Sequence, residues 1–346
     1  MRNTQRSTQD RTLRTAITAV GAAAYHPLMD LRIFTEPQQG ASHAELLRAA
    51  QATRDGGFSA FFRSDHVLVM GDGDGLPGPS DSMVSLAALS AQVPEIRFGT
   101  LVTAATFRHP SMLAIAAATI DDVSGGRLEL GLGSGWYEAE HRAYGLDFGA
   151  SFGERFDRLT EQLEILTGLW ATPVGSTFSH SGTHYRLQDA PGLPKPVQRD
   201  RAGTPKVPLV LGGSGPKRTP ALAARFADDY NVGFSGVEDT TAGHNRIRAA
   251  CAAIGRDADE IVYSAAQVVC CGATDDELSR RAAAIGRDLA DLRENGLAGS
   301  PAEVVDRLGQ FAAAGTQRVY LQVMDHRDLD HITLLADRVL PQVRAR

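Results

Sequence analysis

One pattern recurs along this chain and governs what it can fold into. A short run of β-branched, aromatic or aliphatic residues is followed each time by a longer Ala/Leu-rich segment with helical spacing. "DLRIFTE" leads into "SHAELLRAAQATRDGGF", where Ser42 is placed to cap a helix and Leu46, Leu47 and Ala50 fall on one face. "SAFFRSDH" precedes "SMVSLAALSAQV". "IRFGTLVTAATF" precedes "PSMLAIAAATIDDVSGG", with Pro110 near the helix start and Gly125 at its end. "RLELGLGSG" precedes "YEAEHRAYG" and "RFDRLTEQLEILTGLW". "VPLVLGGSG", "DDYNVGF", "IVYSAAQVVCCG" and "QRVYLQVM" each open a further unit, which makes eight. Strands covered on both faces read as nearly continuous apolar runs, as these do. The spacing predicts an α/β fold, a (β/α)8 TIM barrel with insertions, as a single domain over residues 29–346. The rival reading is an open doubly wound sheet. Two stretches exceed a normal connection: "VLVMGDGDGLPGPSD" after the second strand, read as part of a lid, and Thr172 to Pro208, whose "TFSHSGTHYRLQ" reads as a small hairpin.

Residues 1–28 break the pattern. "MRNTQRSTQDRTLRT" is polar and basic and "AITAVGAAA" is a weak small-residue run, so this stretch is read as a disordered extension or the product of an upstream start codon rather than a signal peptide. The net charge is −6 with acids and bases interspersed, which leaves no electrostatic footprint for nucleic acid. No segment approaches the roughly 20 apolar residues of a membrane helix. Three cysteines, two of them adjacent, make no disulfide framework and point to a reducing cytoplasm.

The stretch "RLELGLGSGWYEAEH" tests for a dinucleotide fingerprint and fails. Counting from Gly131, the sixth position is Trp136, whose indole would block close strand–helix packing, and no acidic residue ends a next strand about 20 positions on. In a barrel the C-terminal end of each strand opens onto the active face. Small residues there let a planar ring approach the backbone, with Trp136 and Tyr137 as walls. At the second strand end, "RSDH" places Asp65 and His66 where barrel catalysts sit; a histidine there exchanges protons near neutral pH. "GTLVTAATFRHP" passes from β-branched to small residues without a turn signal, which suggests an irregular backbone or bulge bordering a ligand. "LGGSGPKRTP" offers the unhindered N–H groups of Gly212, Gly213 and Ser214, with Lys217 and Arg218 at a helix start, a combination that binds anions.

Together "FFRSDH", "GTLVTAATFRHP", "GGRLELGLGSGWYEAEH" with "ERFDRLTEQLEIL", and "LVLGGSG" resemble the luciferase-like flavin and deazaflavin oxidoreductases, from Met29 to the C-terminus. "GWYEAEHRAYGL" looks most like the coenzyme F420-dependent branch. The resemblance implies hydride transfer between a deazaflavin C5 and a small organic substrate, with FMN and a monooxygenase reaction as the alternative and a catalytically idle flavin-binding relative as a further one. It implies a bulge after the third strand, often with a non-prolyl cis peptide, falling at Leu101, Val102, Thr103 and Ala104. Asp65 would contact the deazaflavin and His66 would handle a proton or hold the substrate. Gly135, Trp136 and Tyr137 would border the ring, and Gly212, Gly213 and Ser214 the phosphate-bearing tail. A homodimer is common in the family. Departures bear on the substrate. The sugar-phosphate dehydrogenase branch has a tryptophan where this chain has Met70, and a glutamate where it has Trp136, which speaks against glucose 6-phosphate.

Several other groups read as structural. Glu138, Glu140 and His141 look like a solvated helix face rather than a metal site, since only Glu138 and His141 share a face. His180 and His184 fall in the hairpin and read as surface residues. Asp325 and His326 follow the eighth strand and are modest candidates for a substrate contact. Cys270 and Cys271 read as core. No metal ligands are expected.

Overall fold

The eight apolar runs form eight strands of a closed parallel barrel. They are β1 (Asp30–Thr35), β2 (Ala60–Arg63), β3 (Arg97–Thr100), β4 (Leu128–Gly133), β5 (Leu209–Gly212), β6 (Asp229–Gly233), β7 (Val262–Cys271) and β8 (Arg318–Gln322). Each pairs in parallel with the next, and β8 returns to β1 with Asp30 opposite Arg318 and Phe34 opposite Gln322. The open-sheet alternative is thereby excluded. The computed structural model describes residues 29–344; the expected extension at residues 1–28 lies outside the described residues.

The helices follow the strands as the spacing predicts. They are α1 (His43–Asp55), α2 (Ser82–Gln92), α3 (Pro110–Val123), α4 (Glu138–Tyr144), α5 (Phe152–Ala171), α6 (Arg218–Phe226), α7 (Val237–Ile254), α8 (Asp275–Ala284), α9 (Leu289–Asn295), α10 (Pro301–Ala313) and α11 (Leu329–Arg338). Ser42 closes a capping box on α1: its hydroxyl accepts from Glu45 N at 3.3 Å, and Glu45 Oε2 accepts from Ser42 N at 2.8 Å. Pro110 occupies the first turn of α3, where its missing N–H costs nothing.

Strand alternation sorts each run into two faces. Leu31 and Ile33 of β1 join the shell between barrel and helices, with Phe61, Phe98, Leu130 and Leu209. Their neighbours point inward: Phe34, Ala60, Phe62, Val210, Ala266 and Tyr320 form a separate cluster inside the barrel, and Leu101 packs on it. At the N-terminal end of the strands the interior is charged. Arg32 Nη1 donates to Glu129 Oε2 at 2.6 Å, Arg97 also donates to Glu129, Arg318 pairs with Asp229 at 2.7 Å, and Tyr320 Oη donates to Asp229 at 2.9 Å. The Arg32 guanidinium lies 5.5 Å and 5.7 Å from the ring centres of Phe62 and Tyr320. This layer seals the barrel floor. Towards the C-terminal ends the inward positions shrink to Gly133, Gly212, Gly233 and Ala266, so that end stays hollow.

The two insertions lie apart. The hairpin strands Phe178–Ser181 and Arg186–Ala190 pack on the outside of α5, where Glu161 accepts backbone bonds from Thr183, His184 and Tyr185. The loop after β2 meets the end of β4 and the start of α4 instead, where Val69 O accepts from the Tyr137 hydroxyl at 3.2 Å.

Candidate active site

The hollow end holds a cavity of about 450 Å³. Its floor is apolar: Phe34, Leu101, Val102 and Ala266. One wall rises from neighbouring strands β4 and β5, through Gly133, Ser134, Gly135 and Trp136, then Gly212, Gly213 and Ser214. The opposite side carries Asn231, Val232, Gly233, Phe234 and Ser235 from the end of β6, and Glu36 from the end of β1.

The backbone after β3 is irregular, as the change in residue type suggested. Gly99 stands opposite Glu129, but pairing resumes with Thr103 opposite Leu132, so the register slips by one residue. Within that slip the Leu101–Val102 peptide is cis, though neither residue is proline. The slip pushes backbone against β4. A Cβ on Gly131 would stand 2.0 Å from Thr100 O, closer than any side chain permits, so this glycine is required by the bulge itself. Gly213 has φ of 127°, a region that side chains avoid, and its carbonyl accepts from Tyr230 Oη at 2.7 Å.

His66 stands at the cavity edge with its ring fixed by a partner from another unit. Its Nδ1 lies 3.0 Å and 3.2 Å from the two carboxylate oxygens of Glu140 on α4, and Glu140 Oε2 also accepts from Val67 N at 3.0 Å. A carboxylate accepts only, so Nδ1 carries the proton and Nε2 is left as the ring's free nitrogen. The Glu140 side chain is 1 % exposed and that of His66 17 %. Trp136 and Tyr137 flank the ring edge-on, with centroids 5.5 Å and 6.1 Å away.

Of the residues singled out in the sequence, His66, Leu101, Val102, Ala104, Gly135, Trp136, Gly212, Gly213 and Ser214 line this one cavity. Asp65, Thr103 and Tyr137 do not. Asp65 precedes His66 in the loop after β2, and its carboxylate turns away from the cavity to Arg108, which grips it through both terminal nitrogens and reaches Asp81 at 2.6 Å. Thr103 is buried beyond the register slip. Tyr137 turns its hydroxyl to the loop after β2. Arg218 pairs with Asp157 and stacks 4.4 Å from the Phe156 ring centre, whereas Lys217 beside it joins no ion pair among the described residues.

Three other readings change. Glu140 and His141 are not a solvated face; both are buried, His141 between Thr106 Oγ1 at 2.6 Å and Tyr137 O at 2.9 Å. Asp325 and His326 stay out of the cavity. Glu36 lines it as well, continuing the inward alternation of Arg32 and Phe34, a signal present in the sequence. Burial raises the Glu36 carboxyl above its ordinary range, against the lowering influence of His66 and Gln38. His180 and His184 sit on the outer hairpin away from the cavity, and Cys270 and Cys271 are buried. Among the described residues no cluster of three or more His, Cys, Asp or Glu could hold a metal ion, and no helix is long and apolar enough to cross a membrane.

A closed eight-stranded barrel, sealed at its base and glycine-walled at its mouth, with a carboxylate-held histidine at the rim, defines a (β/α)8 protein built around a ligand cavity. The family model described as luciferase-like monooxygenase matches residues 28–290, and the chain belongs to that family. It is 36% identical over 189 residues to an F420-dependent glucose-6-phosphate dehydrogenase of Microbacterium testaceum, covering 54% of this chain and 51% of that one. It is 35% identical over 182 residues to the pyrimidine monooxygenase RutA of Stutzerimonas stutzeri, covering 51% and 47%. The chain thus spans about half the length of these curated relatives. Among solved structures, an F420-dependent secondary alcohol dehydrogenase in complex with an F420-acetone adduct superposes with a TM-score of 0.78 at 17% identity, covering 92% of this chain and 100% of that one.

Proposed function

We propose that the protein is a coenzyme F420-dependent oxidoreductase acting on a small organic substrate, with the ring system seated in the barrel-mouth cavity. The observation that carries this reading is the pairing of a glycine-walled, apolar-floored cavity with one oriented histidine at its edge. The residues fit such a group: Gly133, Gly135 and Gly213 leave a smooth face on which side chains would intrude, and the bulge at Leu101–Val102 supplies the facing surface. When bound, a deazaflavin would supply hydride chemistry; the chain supplies position, dryness and proton handling. His66 would move or hold a proton through Nε2, with Glu140 fixing the ring. Gly212, Gly213 and Ser214 would meet the phosphate-bearing tail beside Lys217.

FMN with a monooxygenase reaction is the second reading, favoured by the near-equal identity to the pyrimidine monooxygenase. Titrating the protein with F420 and, separately, with FMN separates the two: the proposal expects F420 fluorescence to quench at micromolar concentration while FMN fluorescence does not. Selective quenching of FMN would reverse the assignment, and no quenching of either would remove the cofactor role of the cavity. Gly213→Val should weaken F420 binding at least tenfold, since its backbone region and the open wall both exclude a side chain. Unchanged affinity would detach the β5 loop from the cofactor.

A further inference from the structure

A second cavity of about 290 Å³ adjoins the first, and the two share Glu36 and Phe234. It lies on the side away from the glycine wall, bounded by Val268 of β7, Gln322 of β8 and the end of α9. We propose that this annex is the substrate compartment, that it takes a small uncharged alcohol or carbonyl compound with an apolar body, and that Glu36 and Gln322 hold the oxygen of that compound. The inference rests on the preceding reading of the main cavity as the cofactor seat.

Three observations carry it. Glu36 is the one ionisable side chain facing both spaces, and no ion pair among the described residues includes it. Glu36 reaches both spaces from the end of β1, and its carboxyl offers an acceptor to an alcohol hydroxyl or, when protonated, a donor to a carbonyl oxygen. The annex holds no unpaired cation, because its one arginine, Arg287, pairs with Asp291 at 3.0 Å, and Asn295 also donates to Asp291 at 2.8 Å. A phosphorylated or carboxylated substrate would find no free cation there. Gln322 is buried and makes no side-chain hydrogen bond to another described residue, so its amide is available to the same oxygen. Val268, Leu292 and Met324 provide the apolar remainder.

The test uses saturation-transfer NMR with cyclohexanol as probe, glucose 6-phosphate as charged control, and F420 quenching as an independent readout on the same proteins. The expected result is a cyclohexanol signal from the wild type, none from glucose 6-phosphate, and loss of the cyclohexanol signal in Asn295→Trp, which fills the annex, with F420 affinity unchanged. Glu36→Leu should weaken the probe about tenfold, and Glu36→Gln, which keeps a donor and an acceptor, should retain most of the binding. Absence of a cyclohexanol signal, survival of the signal in Asn295→Trp, preferential binding of glucose 6-phosphate, or equal behaviour of the Leu and Gln variants would overturn the assignment. Cyclohexanol binding lost in Asn295→Trp in a protein that binds neither F420 nor FMN would leave the annex standing and sink the cofactor reading alone.

Discussion

At the scale of single residues the site turns on two carboxyls in opposite circumstances. Glu140 is spent on His66 and on Val67 N, and its job is orientation. On the proposed function, His66→Ala should lower turnover by about 10²–10⁴-fold, the usual contribution of a positioned acid or base. Glu140→Gln should lower it by about 10–100-fold through the freed ring. F420 affinity should change little in either, measured by quenching beside steady-state kinetics; equal losses of affinity and turnover would mean that both residues merely support the cavity. Glu36 is the reverse case, a half-buried carboxyl that joins no ion pair among the described residues. Its folded-state pKa is raised by burial, so ionising it opposes folding, and the penalty grows as pH rises above the ordinary carboxyl value. Glu36→Gln should therefore melt higher than wild type near pH 8, with the gain shrinking towards pH 4; a gain independent of pH would contradict this. His66 and the glycines were legible because their types and their places at strand ends coincide. Glu140 was not, because its partner is 74 positions away and a helix wheel shows only neighbours of the same helix.

Between elements, the β2 and β3 ends are stitched by one side chain. Arg108, just past the bulge, binds Asp65 at the end of β2 and Asp81 at the cap of α2, while Asp81 accepts from Val84 N at 2.9 Å. Arg108→Met would leave Asp65 buried without its cation, at a cost of about 3–5 kcal/mol. It should also release the loop between them, read as faster proteolytic cleavage within residues 67–81. Unaltered stability would show that Asp65 finds other partners. Helices and strands were legible here because the periodicities of 3.6 and 2 are local. The bulge was legible as an irregularity from the passage of "TLVTAATF" into small residues, but its one-residue slip depends on the pairing partner, β4, and that is a tertiary fact. The direction of Asp65 is a tertiary fact too: it lies past the end of β2 at Arg63, and its partner Arg108 is 43 positions away.

For the molecule as a whole, the barrel floor sets the response to acid. Burial alone would raise Glu129, but Arg32, Arg318 and Arg97 overrule it and hold its pKa at about 2, below the ordinary 4.5. Asp30 is lowered in the same layer: burial pulls it upward and is outweighed by Arg32 and Arg318. Stabilisation of this sign is fully present above the ordinary carboxyl pKa and disappears as pH falls towards the folded value. The contribution of this layer, read as the difference in melting temperature between wild type and Glu129→Gln, should thus hold steady above about pH 5 and shrink between there and about pH 2. Glu129→Gln should cost about 3–5 kcal/mol at neutral pH in denaturant midpoint measurements, since three guanidinium groups lose their shared partner. It should also flatten the acid limb, and an unchanged limb would assign acid lability elsewhere.

That floor of arginines and carboxylates has a consequence for traffic. A cylinder closed by interlocked charges is a cup, not a conduit, so nothing can arrive from below while something else departs above. Whatever is loaded into this barrel must come and go on its C-terminal side, by way of the main mouth or the annex beside it.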